Sequence, residues 1–200
     1  MKNLMFISTL LLLISCNNGK EEKIMDAASN SSTPNEVENS TKNIINQEND
    51  YSKLYLRDNN DCTIIEPSEI ASVLGIQESQ VIKEPIEGTC RYTITLPDGT
   101  SSSLGIGFTK MPNAEVKREI ANYQSKSGGL EHYISDTGDT DLCIHPYNSW
   151  LFLYNANYDN TIKLSYGSKI ALRGMTKEQK EVRKTNALKI ANYIEKKYKQ

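Results

Sequence analysis

The chain has 200 residues, of which 38% are hydrophobic and 24% are charged, and its formal net charge is −2. This balance gives no overall electrostatic attraction to nucleic acid, and the basic residues that gather after Arg173 are typical of the solvated face of a helix. We therefore expect no nucleic-acid partner.

The chain begins with a short apolar run that follows one positive charge. The run extends from Leu4 to Ile14, whereas a helix needs about 20 residues to cross a bilayer. Its length, the charge of Lys2 and the small residue Ser15 at its end are typical of a secretory signal peptide. We expect residues 1–15 to form that signal.

The end of this run, Leu13-Ile14-Ser15-Cys16, resembles the lipobox of bacterial lipoproteins. The resemblance implies that the Cys16 sulfur receives a diacylglycerol, that the signal is cut just before Cys16, and that the new amino terminus is acylated. Because two or more acyl chains anchor a protein stably, the implied partner is a membrane. The alternative is an ordinary signal peptide in which the cysteine occurs by chance.

Two short features after Cys16 imply a location in the cell envelope. Lys20-Glu21-Glu22 resembles the export signal of Bacteroidetes surface lipoproteins, for which the alternative is a plain charged linker. Asn17 is not the aspartate that marks inner-membrane retention in enterobacterial lipoproteins. These features imply the outer membrane, with exposure at the cell surface.

The segment 17–50 is rich in Asn, Ser, Glu and Lys and contains no aromatic residue. Such a composition buries too little apolar surface to offset the entropy of an ordered chain. We therefore expect residues 16–50 to comprise the lipidated cysteine and a flexible tether. The remaining residues, 51–200, suffice for one domain with a hydrophobic core.

Helical and extended patterns alternate along this domain. Pro67 and Gly75 mark the ends of the first helix, and Thr176 with Gln179 forms a capping box at the start of the last. Helices are predicted over 66–75, 112–124 and 176–200. Strands are predicted over 79–85, 89–96, 101–110, 141–146, 150–155 and 161–167, with one short extended piece in the polar loop 125–139. The pattern predicts an α+β domain, with an antiparallel sheet of about five to six strands packed against two or three helices.

The order of these elements resembles small lipoprotein domains of families without an assigned chemistry. In those domains a cysteine precedes the first helix and another begins a strand. Cys62, Cys90, Gly138 and Asp139 carry the resemblance, which covers residues 61–198. It implies the α+β fold and does not imply an activity.

Three cysteines follow the anchor, namely Cys62, Cys90 and Cys143. An exported protein folds in an oxidising compartment, so we expect one disulfide and one remaining thiol. The sequence leaves all three pairings open. We favour Cys62 with Cys90, because they flank a compact helix-and-strand unit. Closing that loop contributes about 3.6 kcal/mol on the chain-entropy model.

The sequence contains no G-x-S-x-G, H-E-x-x-H, phosphate-loop or paired C-x-x-C motif. The glycines of "GIGF", which starts at Gly105, lie in a predicted strand and indicate a bulge or close packing. We therefore expect no catalytic residue, no metal and no cofactor.

The segment "DLCIH" is the strongest alternative to that expectation. Asp141, Cys143 and His145 project from one side of a predicted strand, and His132 is available to complete a site. A thiol beside an imidazole suits an activated nucleophile or a metal site, which would make the protein a thiol- or metal-dependent hydrolase. The interpretation that we favour is a buried cysteine that packs as a small hydrophobe.

Aromatic residues are concentrated at Tyr147, Trp150, Phe152 and Tyr154. The last three share one strand face, and leucines occupy the other, so either both faces are buried or the aromatic face binds something. We expect a non-catalytic binding domain for a protein or small molecule, with these four aromatics as its binding face. A further alternative is an inhibitor or immunity lipoprotein.

Overall fold

The computed structural model describes residues 49–57, 62–86, 89–167 and 172–200. The predicted signal peptide, Cys16 and almost all of the predicted tether lie outside the described residues. Within the described ranges, no helix combines the length and the apolar character needed to cross a membrane.

The centre of the domain is an antiparallel sheet of seven strands in the order β1-β2-β3-β7-β6-β5-β4. The strands are β1 (Val81–Ile86), β2 (Thr89–Thr95), β3 (Ser101–Lys110), β4 (Glu131–Ile134), β5 (Asp141–His145), β6 (Trp150–Tyr154) and β7 (Asn160–Ser165). The α+β prediction is confirmed. The sheet exceeds the expected five to six strands because the short extended piece in the polar loop pairs with β5 as an edge strand.

Four α-helices accompany the sheet in the described residues: α1 (Ser52–Tyr55), α2 (Pro67–Leu74), α3 (Asn113–Gln124) and α4 (Lys177–Tyr198). Gly75 ends α2 with a left-handed φ of 68°, which glycine adopts without strain. The predicted capping box begins α4, where the Gln179 N–H donates to Thr176 Oγ1 at 3.2 Å. The single turn α1 was not predicted, because four residues carry no helical period.

The main hydrophobic core lies on one face of the sheet. On β2 the residues Cys90, Tyr92 and Ile94 are buried and alternate with more exposed neighbours, as the period of two predicts. Residues of α1, α2 and α4 pack against them, including Leu54, Ile70, Ile190 and Ile194. This core buries Leu151 and Leu153 of β6 completely.

The favoured cysteine pairing is confirmed. Cys62 and Cys90 form a disulfide with Cα atoms 5.3 Å apart and a sequence separation of 28. The bridge links the segment before α2 to the start of β2, so it fastens the helical layer to the sheet. Cys143 is the free thiol of the described residues, and it is buried.

Polar contacts also join α2 to α4. Glu69 accepts hydrogen bonds from Lys197 Nζ at 2.7 Å, from the Tyr193 hydroxyl at 2.9 Å and from the Glu66 N–H at 2.7 Å. Burial acts to raise the pKa of Glu69, but these hydrogen bonds outweigh it and lower that pKa. Some of the basic residues in α4 therefore serve as ion-pair partners within the domain rather than as a purely solvated face.

Candidate binding groove on the second face of the sheet

The described residues cover only part of the second face of the sheet. Helix α3 places Val116, Ile120 and Tyr123 over Cys143 and Tyr154, which forms a second, smaller core. The part of the face that lies over β2, β3 and β7 carries polar or small residues that remain exposed or half-buried, such as Arg91, Ser103, Gly105 and Ser165.

One row of cross-strand neighbours defines a groove on this open part. Arg91 pairs with Gly105, Gly105 pairs with Ser165, and Ser165 pairs with Trp150. Directly opposed residues in an antiparallel sheet project from the same face. The long side chains of Arg91 and Trp150 thus stand on either side of the small residues between them. Three strand spacings separate their two backbones by about 14 Å.

The groove has a volume of about 610 Å³, which is within the range of small-molecule sites. Its neutral polar side chains are Thr89, Ser101, Ser102, Ser103, Asn148 and Ser165. Arg91 and Arg183 are its charged residues, and no acidic residue is among the described residues that line it. The charge inside the groove is therefore positive.

Arg183 reaches the groove from α4 and is only 2% exposed. Its Nη2 donates to Thr100 Oγ1 at 3.0 Å and to the Ser101 carbonyl at 3.1 Å, and its Nη1 donates to the Gln179 carbonyl at 3.1 Å. Its Nε has no partner among the described residues. All of these acceptors are neutral, so the hydrogen bonds fix the position of the guanidinium without neutralising its charge.

Asp98, in the turn before β3, is an acidic residue that interacts electrostatically with Arg183. Hydrogen bonds from Thr100 lower the pKa of Asp98, and the charge of Arg183 lowers it further. On the sheet itself, Glu84 lies beside Arg91 at the outer edge, where it accepts a hydrogen bond from Thr93 at 3.4 Å. Neither carboxylate lines the groove.

The predicted aromatic binding face forms a ladder of rings that continues from the groove. Trp150 and Phe152 have ring centroids 6.1 Å apart, and Phe152 and Tyr154 have centroids 5.6 Å apart. Tyr147 is 67% exposed, whereas Tyr154 is 2% exposed beneath α3. Trp150 is the member that lines the groove, and Lys163 Nζ lies 5.0 Å from its ring centroid. Tyr154 thus presents no surface to a ligand.

The "DLCIH" segment forms β5 as predicted, but its side chains do not assemble into a reactive site. Cys143 is fully buried under α3, and burial, followed by the charges of Asp141 and Glu119, raises the pKa of its thiol. Asp141 Oδ1 lies 2.6 Å from His132 Nε2. Among the described residues, no group of three or more His, Cys, Asp or Glu side chains is arranged to hold a metal ion. A buried, protonated thiol is a poor nucleophile.

Native Cys143 is expected to react with iodoacetamide at least about 100-fold more slowly than the same residue in urea-unfolded protein, because only opening of the α3 layer exposes the sulfur. Mass spectrometry of tryptic peptides after timed alkylation at mildly alkaline pH measures both rates. The Cys143→Ala variant identifies the peptide concerned. Equal rates in native and unfolded protein would instead show an accessible thiol and favour the hydrolase alternative.

The motifs of the sequence did not indicate Arg91, Gly105, Ser165 or Arg183 as site residues. A partial signal is present in β2, where Arg91 alternates with the apolar residues Cys90 and Tyr92 and so belongs to the polar face of the strand. The prediction that Gly105 marks a bulge or close packing was wrong. The strand pairing around it is regular, and a Cβ added there would lie at ordinary contact distances of 3.5 Å from Thr89 Cγ2 and 3.8 Å from Ser165 Cβ.

Comparison of the chain with protein-family models, with curated proteins and with solved structures finds no match.

Proposed function

We propose that the protein is a lipid-anchored lipoprotein of the cell envelope whose domain, residues 51–200, binds a ligand without catalysing a reaction. The observation that carries the binding role is the groove between Arg91 and Trp150. It has the volume of a small-molecule site, two arginines with no acidic residue among the described residues of its lining, and an aromatic wall. Convergent polar groups beside an aromatic surface are typical of ligand sites.

The state of the free thiol favours binding over the hydrolase alternative. Thiol catalysis needs an accessible cysteine with a lowered pKa, whereas Cys143 is fully buried and the pKa of its thiol is raised. His145 lies two residues further along β5, where its ring packs against Trp150 with a centroid distance of 6.2 Å.

The lipobox resemblance at Cys16 supports the envelope location. The Cys62–Cys90 disulfide adds support, because such bridges persist in oxidising compartments outside the cytoplasm. The outer membrane and the cell surface are implied only by Asn17 and by the resemblance of Lys20-Glu21-Glu22 to an export signal, and they belong to the same proposal.

Replacing Cys16 with alanine is expected to abolish incorporation of radiolabelled palmitate and to release the protein from the membrane fraction, since no acyl chain can then be attached. The measurement is metabolic labelling followed by immunoprecipitation and membrane fractionation of cells that express the full chain. Cys143→Ala is the matched control, because it removes a cysteine that the proposal does not lipidate, and it should label normally. Continued labelling of Cys16→Ala would show that the lipobox interpretation is wrong.

A further inference from the structure

We propose that the groove binds an anionic sugar, with its oxyanion, a carboxylate or a phosphate, directed to Arg91 and its ring packed against Trp150. This inference rests on the proposed binding function and adds the class of the ligand. Three properties of the groove lead to it: its charge, its hydroxyl-rich lining and its floor.

The charge of the groove selects an anion. Arg91 is exposed on β2 and presents a planar guanidinium, which matches a carboxylate or phosphate through two parallel hydrogen bonds. Arg183 is buried and hydrogen-bonded only to neutral groups, so its positive charge adds to the attraction without direct contact. Lys163 does not line the groove, but its Nζ lies over the ring of Trp150, 5.0 Å from the centroid, and adds a positive charge near the opposite wall.

The neutral polar part of the lining matches a polyhydroxylated body, and Tyr166, Gly167, Leu172 and Met175 complete the lining. Five serine or threonine hydroxyls and the Asn148 amide surround the groove, and each can donate and accept hydrogen bonds. Trp150 supplies a flat apolar surface with one donor N–H, which suits a sugar ring that has an apolar C–H face and a polar rim. Hydroxyls paired with an aromatic wall therefore favour a sugar over a purely apolar anion.

The floor of the groove exists because Gly105 has no side chain. Its backbone does not have a left-handed φ, and an added Cβ would meet only ordinary contacts at 3.5 Å and 3.8 Å. A Cβ is therefore compatible with the fold at this position, and β-branched residues favour strands. Glycine in a strand interior is destabilising, so the open floor comes at a cost to the strand itself.

The test is isothermal titration calorimetry of the full-length processed protein in non-ionic detergent. The probes are digalacturonate and glucose 6-phosphate, which distinguish a carboxylate source from a phosphate source, with galactobiose and glucose as the neutral counterparts. We expect one or both anionic sugars to bind with a Kd of about 1 mM or tighter, and the affinity should fall as salt is added. The neutral sugars should bind at least about 10-fold more weakly.

Three variants locate the site, and one serves as a control. Arg91→Gln should weaken binding of the anionic sugar about 10- to 100-fold, as loss of a charged hydrogen-bonding partner does. Trp150→Ala and Gly105→Val should each weaken it by at least about 10-fold, the first by removing the wall and the second by filling the floor. Arg118→Gln removes the same charge from α3, where Arg118 is exposed and paired with Glu115, and should change the affinity by less than about 2-fold.

Circular dichroism melting of each variant separates lost binding from lost folding, and Gly105→Val is the decisive variant because its backbone accepts a side chain. Equal binding of neutral and anionic sugars would overturn the role of the arginines. Preferential binding of a triglutamate peptide would overturn the sugar class. Absence of binding by all probes would overturn the inference as a whole, while the Cys16→Ala assay reports separately on the lipid anchor of the proposed function.

Discussion

Replacing Cys90 with serine is expected to lower the free energy of unfolding by about 2–5 kcal/mol. The Cys62–Cys90 bridge closes a loop with a sequence separation of 28, so its removal lets the unfolded chain sample many more conformations. The introduced serine occupies position 90, which is 1% exposed in the main core. Burying its hydroxyl adds a further cost. Urea unfolding followed by tryptophan fluorescence measures the change, with peptide mapping under non-reducing conditions to verify the bridge.

A double-mutant comparison tests the origin of this effect. Cys62→Ser and Cys90→Ser should each destabilise the protein, and the double variant should be little worse than either, because both single changes remove the same bond. Additive effects of the two changes would show that the cysteines act separately, through packing. Detection of a Cys143 bridge in wild-type protein would contradict the pairing itself.

Replacing Leu153 with alanine is expected to cost about 2–5 kcal/mol, because it removes a fully packed side chain and leaves a cavity. Leu153 is 0% exposed in the main core. In a domain of this size the melting temperature should fall by about 2–4 °C for each kcal/mol. Differential scanning calorimetry measures both the shift and the enthalpy of unfolding.

Leu56→Ala provides the matched control, since Leu56 is 68% exposed and its truncation should change stability by less than about 0.5 kcal/mol. Phe152→Ala tests which face of β6 carries the main core. Phe152 is half-buried on the α3 side, so its truncation should cost less than that of Leu153. A larger cost for Phe152 would contradict the assignment of the two faces.

The sequence by itself determined most of the local structure. The ends of α2 were readable from Pro67 and Gly75. The fixed φ of proline and the ability of glycine to adopt a positive φ are properties of single residues. The start of α4 was readable from the Thr176–Gln179 box, which closes within one helical turn. The buried face of β2 is readable from the strict alternation of its apolar and polar residues, and the α+β class followed from the mixture of helical and extended patterns.

Strand order and the use of both sheet faces were decided by tertiary structure. In β6 both faces are apolar, so periodicity alone could not show that Leu153 enters the main core while Trp150 borders an open groove. That distinction depends on how much of the second face of the sheet α3 covers.

The groove could not be predicted from local sequence patterns either. Arg91 and Trp150 are neighbours across β3 and β7 only because β7 returns to pair with β3, a contact between segments far apart in the chain. Arg183 sits in a helix whose many charges give no sign that one of them is buried. Period and capping report interactions within a few residues, whereas a site assembled from four strands and a helix depends on long-range pairing that no local pattern encodes.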